Sequence, residues 1–338
     1  MNSYPASQAS RSAKVSPWAL AVAVLGLGTL LVVLTGIGRP MQHATPVTKP
    51  LHPSSPTAVT PTSTAVPPAM PQPTVAAPLP EITTPVSPAL RIVADRTQTD
   101  EHRLKPLVDG TVTALTPSDI LLLRRILRDA SDEDTIRNEA ANHLQANQVA
   151  DLADDCSAVL VQAGERPRFR SFAAQHLGLV WLDACKQNAK EKAVALQPRL
   201  NALLIDRDVE VRREALLALV RGGDTAGLAE AARLLASDDA SDPAVPAMRD
   251  LALRIAGETR QVASIPRMRM FLTNPDPIVR TAAIIALGKL GDRESRAAIE
   301  AATKDKNLLV AGAAKSALAA IDRGPSESAK PATKETEL

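Results

Sequence analysis

Residues 279–288 read VRTAAIIALG, and this ten-residue block decides the fold. Its apolar side chains include positions one, five, eight and nine, a spacing that places them on one face of an α-helix. The fifth residue, Ala283, is as small as expected where two helices approach each other closely. The block therefore predicts a helix that packs tightly against a neighbouring helix.

The same block occurs six times, starting at residues 136, 169, 211, 248, 279 and 310. Successive copies are 33, 42, 37, 31 and 31 residues apart, which is typical of helical repeats. Arginine holds the second position in five copies, Ala311 holds it in the sixth, and alanine holds the fifth position in all six. The repeated residues are Arg137, Arg170, Arg212, Arg249 and Arg280, together with Ala140, Ala173, Ala215, Ala252, Ala283 and Ala314.

Acidic turns and Gly-Asp pairs between the blocks are signals that start and end helices. We therefore predict that each block is the first helix of a pair, with six helical pairs in residues 116–323. Second helices are expected at 151–163, 189–204, 225–237, 261–272 and 292–303. Thr116, followed by Pro117 and Asp119, starts an extra helix to about residue 128 that would cover the N-terminal end. The predicted fold class is all-α, an α-α superhelix.

Composition favours the same fold class. Only 2% of the 338 residues are aromatic, whereas sheets draw on aromatic and β-branched residues, and Ala, Leu and Arg favour helix. Lys and Arg number 39 against 37 Asp and Glu, and within residues 111–323 the two classes are equal at 29 each. Nucleic-acid-binding domains usually carry a basic excess, so no nucleic-acid partner is expected.

The form V-R-x-x-A-x-x-A-L-G at residues 279–288, followed by Lys289-Leu290-Gly291-Asp292, resembles the HEAT repeat. It is most similar to the short-period variety found in phycobilisome-lyase-like HEAT proteins, and the resemblance covers residues 116–323. The resemblance implies a solenoid that binds another protein or a peptide through its surface without catalysis. It also leaves an alternative, a bilin-lyase-like enzyme or a tetrapyrrole-handling chaperone, although those lyases are soluble proteins.

The recurrent arginines allow two interpretations. In the first, each arginine binds a nearby acid or turn carbonyl and forms a ladder between repeats. The acids indicated by spacing are Asp134, Asp208 and Asp276, which precede their arginines by three or four residues. In the second interpretation, stacked arginines capture the phosphate or carboxylate of a ligand.

No catalytic, cofactor or metal site is predicted, because the chain has no P-loop, G-x-G-x-x-G, H-E-x-x-H or G-x-S-x-G motif. His143 and His176 share the eighth position of the first two blocks, so a two-histidine metal site is conceivable, but packed histidines are the simpler interpretation. Cys156 and Cys185 could form a disulfide in an oxidising compartment if the loop at Cys185 approached Cys156.

A single membrane-spanning helix is predicted at residues 18–38, after a polar segment at 1–17. These 21 residues carry no charge and would span about 30 Å, the hydrocarbon thickness of a bilayer. A cleaved signal peptide is the alternative, but its apolar core is usually shorter and no A-x-A site follows. Charges around the span weakly favour a cytoplasmic N-terminus.

Residues 39–88 are predicted to be a disordered linker, since 14 prolines lie between residues 40 and 88 with only two charged side chains, Lys49 and Glu81. Such a spacer would hold a domain away from a membrane, although a ligand for an SH3-type domain is an alternative. Residues 89–115 form a connector that could hold short strands or loop, and residues 324–338 read as a disordered tail. The expected location is the bacterial inner membrane, with the repeat domain on the periplasmic side.

Overall fold

The structure is a computed structural model, and it describes residues 78–323. In this range all regular secondary structure is helical, as fifteen α-helices and short 3-10 turns. The helices are α1 (Pro88–Ala94), α2 (Asp100–Val108), α3 (Pro117–Arg128), α4 (Asp134–Ala146), α5 (Leu152–Val161), α6 (Pro167–Lys186), α7 (Lys190–Leu203), α8 (Val209–Arg221), α9 (Thr225–Ala236), α10 (Ala244–Ala247), α11 (Arg249–Glu258), α12 (Ile265–Met270), α13 (Pro277–Leu290), α14 (Arg296–Ala302) and α15 (Leu308–Arg323). The predicted all-α repeat fold is confirmed.

The six blocks form α4, α6, α8, α11, α13 and α15, and a second helix follows each of the first five. The second helices of the fourth and fifth pairs are short and are extended by 3-10 turns at Val262–Ser264, Phe271–Thr273 and Arg293–Ser295. The helix of the sixth block, α15, ends at Arg323, where the described part of the chain also ends. The six blocks therefore account for five helical pairs and a single sixth block helix in this part, rather than six complete pairs.

The connector at residues 89–115 is more regular than its sequence indicated. The segment was expected to hold short strands or loop, but residues 91–94 belong to α1, and α2 follows in the same segment. Helix α1 packs on α2 and α3, and α2 packs on α4, so this pair adds a layer beyond α3. Helix α3 begins as predicted, with a capping box between Thr116 and Asp119, but α1 and α2 share the N-terminal end with it.

Helix α2 is an additional block that the sequence comparison missed. It places Arg103 at the second position, 34 residues before Arg137, but Pro106 stands where the other copies have alanine. Proline within a helix removes a backbone N–H donor, which made this segment unlike a helical repeat in the sequence. Arg103 is nevertheless buried, like Arg137 and Arg170 of the next two blocks.

Neighbouring block helices approach each other closely at two small residues. The alanines of the fifth position are all buried, and glycines of the tenth position face alanines of the next copy. A Cβ atom added at Gly178, Gly257 or Gly288 would lie 2.6–2.9 Å from the Cβ of Ala218, Ala286 or Ala317, respectively. These contacts explain why the block ends in glycine in these copies.

The two longest steps between copies have structural causes. Helix α6 is 20 residues long, and its extra length precedes the 42-residue step to the third block. Trp181 lies on this extension, where its indole N–H donates to the carbonyl of Ala193 at 3.1 Å. Helix α10 is inserted before the fourth block and accounts for the 37-residue step.

No helix within residues 78–323 is long and apolar enough to cross a membrane. The predicted span at 18–38, the linker up to residue 77 and the tail at 324–338 lie outside the described residues. Residues 78–87, the last part of the predicted linker, contain no helix or strand.

Candidate binding surface and arginine ladder

Three of the block arginines reach backwards to the preceding helix through their Nε–H groups. In the first three copies, counting α2, the Nε donates to the carbonyl ten residues earlier, which is the penultimate residue of the preceding helix. These bonds join Arg103 to Val93 at 2.8 Å, Arg137 to Leu127 at 3.1 Å and Arg170 to Leu160 at 3.2 Å. Each guanidinium therefore satisfies a carbonyl that the helix end leaves without an intrahelical partner.

Block arginines also reach forwards to a carboxylate that precedes the next block. The pairs, with their N–O distances, are Arg103–Asp132 at 2.7 Å, Arg137–Glu165 at 2.5 Å, Arg170–Asp206 at 2.7 Å, Arg212–Asp242 at 2.6 Å and Arg280–Asp305 at 3.0 Å. We call each arginine with its forward carboxylate a rung. Each rung ties one repeat to the next, so the ladder runs along the stack.

The rung between Arg137 and Glu165 is the most deeply buried. Both side chains are 0% exposed, and Nη1 and Nη2 of Arg137 bind the two carboxylate oxygens at 2.9 and 2.5 Å. The Arg137 guanidinium carbon also lies 3.5 Å from the centroid of the Phe169 ring. Burial by itself would raise the pKa of Glu165, but the hydrogen bonds from Arg137 and from the Arg166 N–H, with the Arg137 charge, hold this pKa below its usual range.

The acids that the sequence indicated as partners do not form these rungs with their own arginines. Asp208 binds Arg170 of the preceding copy, and Asp276 accepts from the Ile278 N–H as a helix cap. Asp134 lies 3.8 Å from Arg137 and closer, at 2.8 Å, to Arg166. Spacing along the chain predicted the wrong partners because the turn that starts one block helix lies beside the arginine of the preceding block helix.

His143 and His176 bind protein oxygens. The Nε2 of His143 lies 2.8 Å from the Leu107 carbonyl, while His176 contacts the side-chain oxygens of Gln145 at 2.8 Å and Asn138 at 3.2 Å. Burial lowers the pKa of His176 to about 4, so this imidazole is neutral at pH 7. The described residues contain no group of three His, Cys, Asp or Glu side chains placed to hold a metal ion.

Cys156 and Cys185 are both free thiols in the structure. Cys156 is fully buried in α5, whereas Cys185 is exposed near the end of α6. Burial raises the pKa of the Cys156 thiol, and the charge of Asp155 adds to this effect. The disulfide considered from their spacing is absent, because one sulfur faces the core and the other faces solvent.

One row of side chains along the block helices is mostly exposed. It occupies the seventh position of each copy, and we call it row seven: Asn142, Gln175, Leu217, Arg254, Ile285 and Ser316. Leu217 is half-buried and the other five are exposed, including the apolar Ile285. The sequence analysis missed this row, although aligning the six copies at position seven could have shown its mixed chemistry.

Comparison with known proteins gives a family match for part of the chain. A sequence model described as HEAT repeats matches residues 240–319, which contain the last three blocks. No curated protein matches the sequence.

Several solved structures are similar at low identity. Human deoxyhypusine hydroxylase in complex with glycerol is 20% identical, over 70% of this chain and 95% of that chain, with a TM-score of 0.29. A designed armadillo repeat protein is 19% identical, over 64% of this chain and 99% of that chain, with a TM-score of 0.37. A second designed armadillo repeat protein, in complex with the peptide (KR)4, is 20% identical over the same shares, with a TM-score of 0.38. The chain is similar to HEAT-repeat proteins in the sequence of residues 240–319.

Proposed function

We propose that this chain is a membrane-anchored, non-catalytic scaffold that binds another protein or a peptide along row seven. The observation that carries this proposal is the exposure of the seventh position in five of the six block helices, with Leu217 half-buried in the remaining one. Each repeat of a solenoid contacts only its neighbours, so equivalent exposed positions form an extended surface. A long partner segment could contact several repeats of this surface at once.

The chemistry of row seven supports recognition rather than simple solvation. The fifth-position alanines are buried, and the five rungs are closed because each arginine binds a carboxylate of this chain, so row seven is not needed for these contacts. Its members include two amides, a leucine, an isoleucine and an arginine, instead of the charged residues typical of a solvated helix face. Exposed apolar groups beside polar groups are common features of protein-binding surfaces.

Photo-crosslinking in intact cells tests this surface. The photoreactive residue p-benzoyl-phenylalanine is placed at Gln175, Arg254 or Ile285, and at Ala195 and Ala298 as exposed controls on the second helices α7 and α14. We expect the row-seven positions to crosslink to one common protein, identified by mass spectrometry, and the controls to give none. Crosslinks of equal yield at the control positions would contradict a role for row seven.

The membrane part of the proposal depends on the sequence of residues 18–88. A charge-free stretch of 21 residues matches the bilayer thickness, and the proline-rich linker could reach on the order of 100 Å when extended. We infer an anchor in the bacterial inner membrane with the repeat domain on the periplasmic side. The weak excess of positive charge before the span supports this orientation.

A reporter fused after Leu338 tests the sidedness. Alkaline phosphatase requires an oxidising compartment, so we expect an active phosphatase fusion and a non-fluorescent fusion to a cytoplasmic green fluorescent reporter. The opposite pattern would place the repeat domain in the cytoplasm. A matched pair of fusions with residues 1–38 deleted shows whether export depends on the predicted anchor.

A further inference from the structure

The arginine ladder lacks a carboxylate at one block. Arg249, at the second position of the fourth block, forms no ion pair with any carboxylate in the described part of the chain. Its Nη2 donates to the Ser237 carbonyl at 3.3 Å, and its buried Nε has no hydrogen-bond partner there. Arg249 as a whole residue is half-buried, so an external group could reach the exposed part of its side chain.

The cause is an asparagine at the position that supplies the carboxylate elsewhere. Asp206, Asp242 and Asp305 each accept the backbone N–H two residues later and also bind the arginine of the preceding copy. Asn274 forms the same turn, since its Oδ1 accepts from the Asp276 N–H at 2.9 Å. Its remaining polar group is an NH2, which cannot accept a hydrogen bond from a guanidinium.

A second cation lies beside the unfilled position. The guanidinium carbons of Arg249 and Arg267 are each 5.0 Å from the centroid of the Phe271 ring. Arg267 binds Asp238, whose side chain is 77% exposed, and donates to the Leu235 carbonyl at 3.0 Å. Burial and then the positive charge of Arg267 lower the pKa of Arg249, while the charge of Asp238 opposes this effect.

We propose that a carboxylate side chain of a protein partner completes this rung by binding Arg249 beside Arg267. A carboxylate offers the two acceptor oxygens that Asp206 and Asp305 provide in the closed rungs. This inference rests on the proposed binding function and specifies its partner as an acidic segment. It assigns to the fourth block the ligand-capturing role that the closed rungs do not have.

The substitution Asn274→Asp tests the site without any partner, because it supplies the missing carboxylate from the chain itself. We expect the unfolding midpoint of the full chain, in non-ionic detergent, to rise by about 2–6 °C. Asn307→Asp is the matched control, since Asn307 also accepts a backbone N–H two residues later and follows no unpaired block arginine. We expect this control to change the midpoint by less than about 1 °C. An equal rise for both variants would overturn the proposal.

Peptide binding tests the ligand class. Fluorescence anisotropy compares a labelled (Glu-Ala)4 peptide with its (Gln-Ala)4 counterpart on the full chain. We expect the glutamate peptide to bind at least tenfold more tightly, and both Arg249→Met and Asn274→Asp to remove this preference. Arg199→Met, an exposed arginine on α7, should leave it unchanged. Equal binding of the two peptides, or a preference that survives Asn274→Asp, would overturn the proposal.

The two proposals can fail separately. If row seven gives no specific crosslink while Asn274→Asp removes acidic-peptide binding, the scaffold surface is wrong and the anion site stands. If row seven crosslinks one partner while the two peptides bind equally, the scaffold function stands and the acidic ligand is wrong.

Discussion

Replacing Arg137 by methionine is expected to lower the free energy of unfolding by about 3–5 kcal/mol, because it leaves the buried carboxylate of Glu165 without its partner. The variant also removes the hydrogen bond to the Leu127 carbonyl and the contact with the Phe169 ring. Urea denaturation of the full chain, followed by circular dichroism at 222 nm, measures this loss.

The exposed pair of Arg199 and Asp154 is the matched control. It also joins two neighbouring repeats, at 2.6 Å, but its side chains are 41% and 62% exposed. Exposed ion pairs contribute about 0–1 kcal/mol, so Arg199→Met should change the stability little. A similar loss of unfolding free energy in the two variants would mean that burial of the Arg137 rung does not contribute to stability.

Replacing Gly288 by alanine is expected to destabilise the stack by about 1–3 kcal/mol, although alanine is the better helix former. The added Cβ would lie 2.7 Å from the Cβ and 2.9 Å from the Cα of Ala317, so α13 and α15 would have to separate. A backbone atom cannot move aside as a flexible side chain can. The thermal midpoint and the urea midpoint of the full chain both report this change.

Gly312→Ala is the control, because Gly312 lies in α15 and nothing stands within 4 Å of its added Cβ. Here only the helix preference changes, and we expect a gain of up to about 1 kcal/mol. The two glycine substitutions should therefore act in opposite directions. Stabilisation by Gly288→Ala would show that the two helices are not held in close contact.

The sequence predicted the repeat helices well because the positions that pack are governed by simple size and polarity. Alanine at the fifth position, as in Ala140 and Ala283, is buried in all six copies. The helix start at Thr116 carries a capping signal that depends only on local residues. For the same reason, the predicted ends of the second helices agree with the structure to within a few residues. Pro106 hid the additional block in α2, since it replaces the alanine that identified the others.

The proposed binding surface and the rung partners could not be predicted in the same way. A rung depends on which turn lies beside which helix, and Arg137 and Glu165 are 28 residues apart along the chain. The pairing of Arg137 with Asp134 was favoured because only neighbours in sequence can be judged from spacing. Row seven differs in chemistry from copy to copy, so no repeated residue type indicated it.

The most direct test of the ladder is a double-mutant cycle on Arg137 with its two candidate acids. One cycle combines Arg137→Met with Glu165→Gln, the acid before the next block, and the other combines it with Asp134→Asn, the acid of its own helix. We predict a coupling energy of about 2–3 kcal/mol with Glu165 and below about 0.5 kcal/mol with Asp134. A larger coupling with Asp134 would contradict a ladder that ties each repeat to the next.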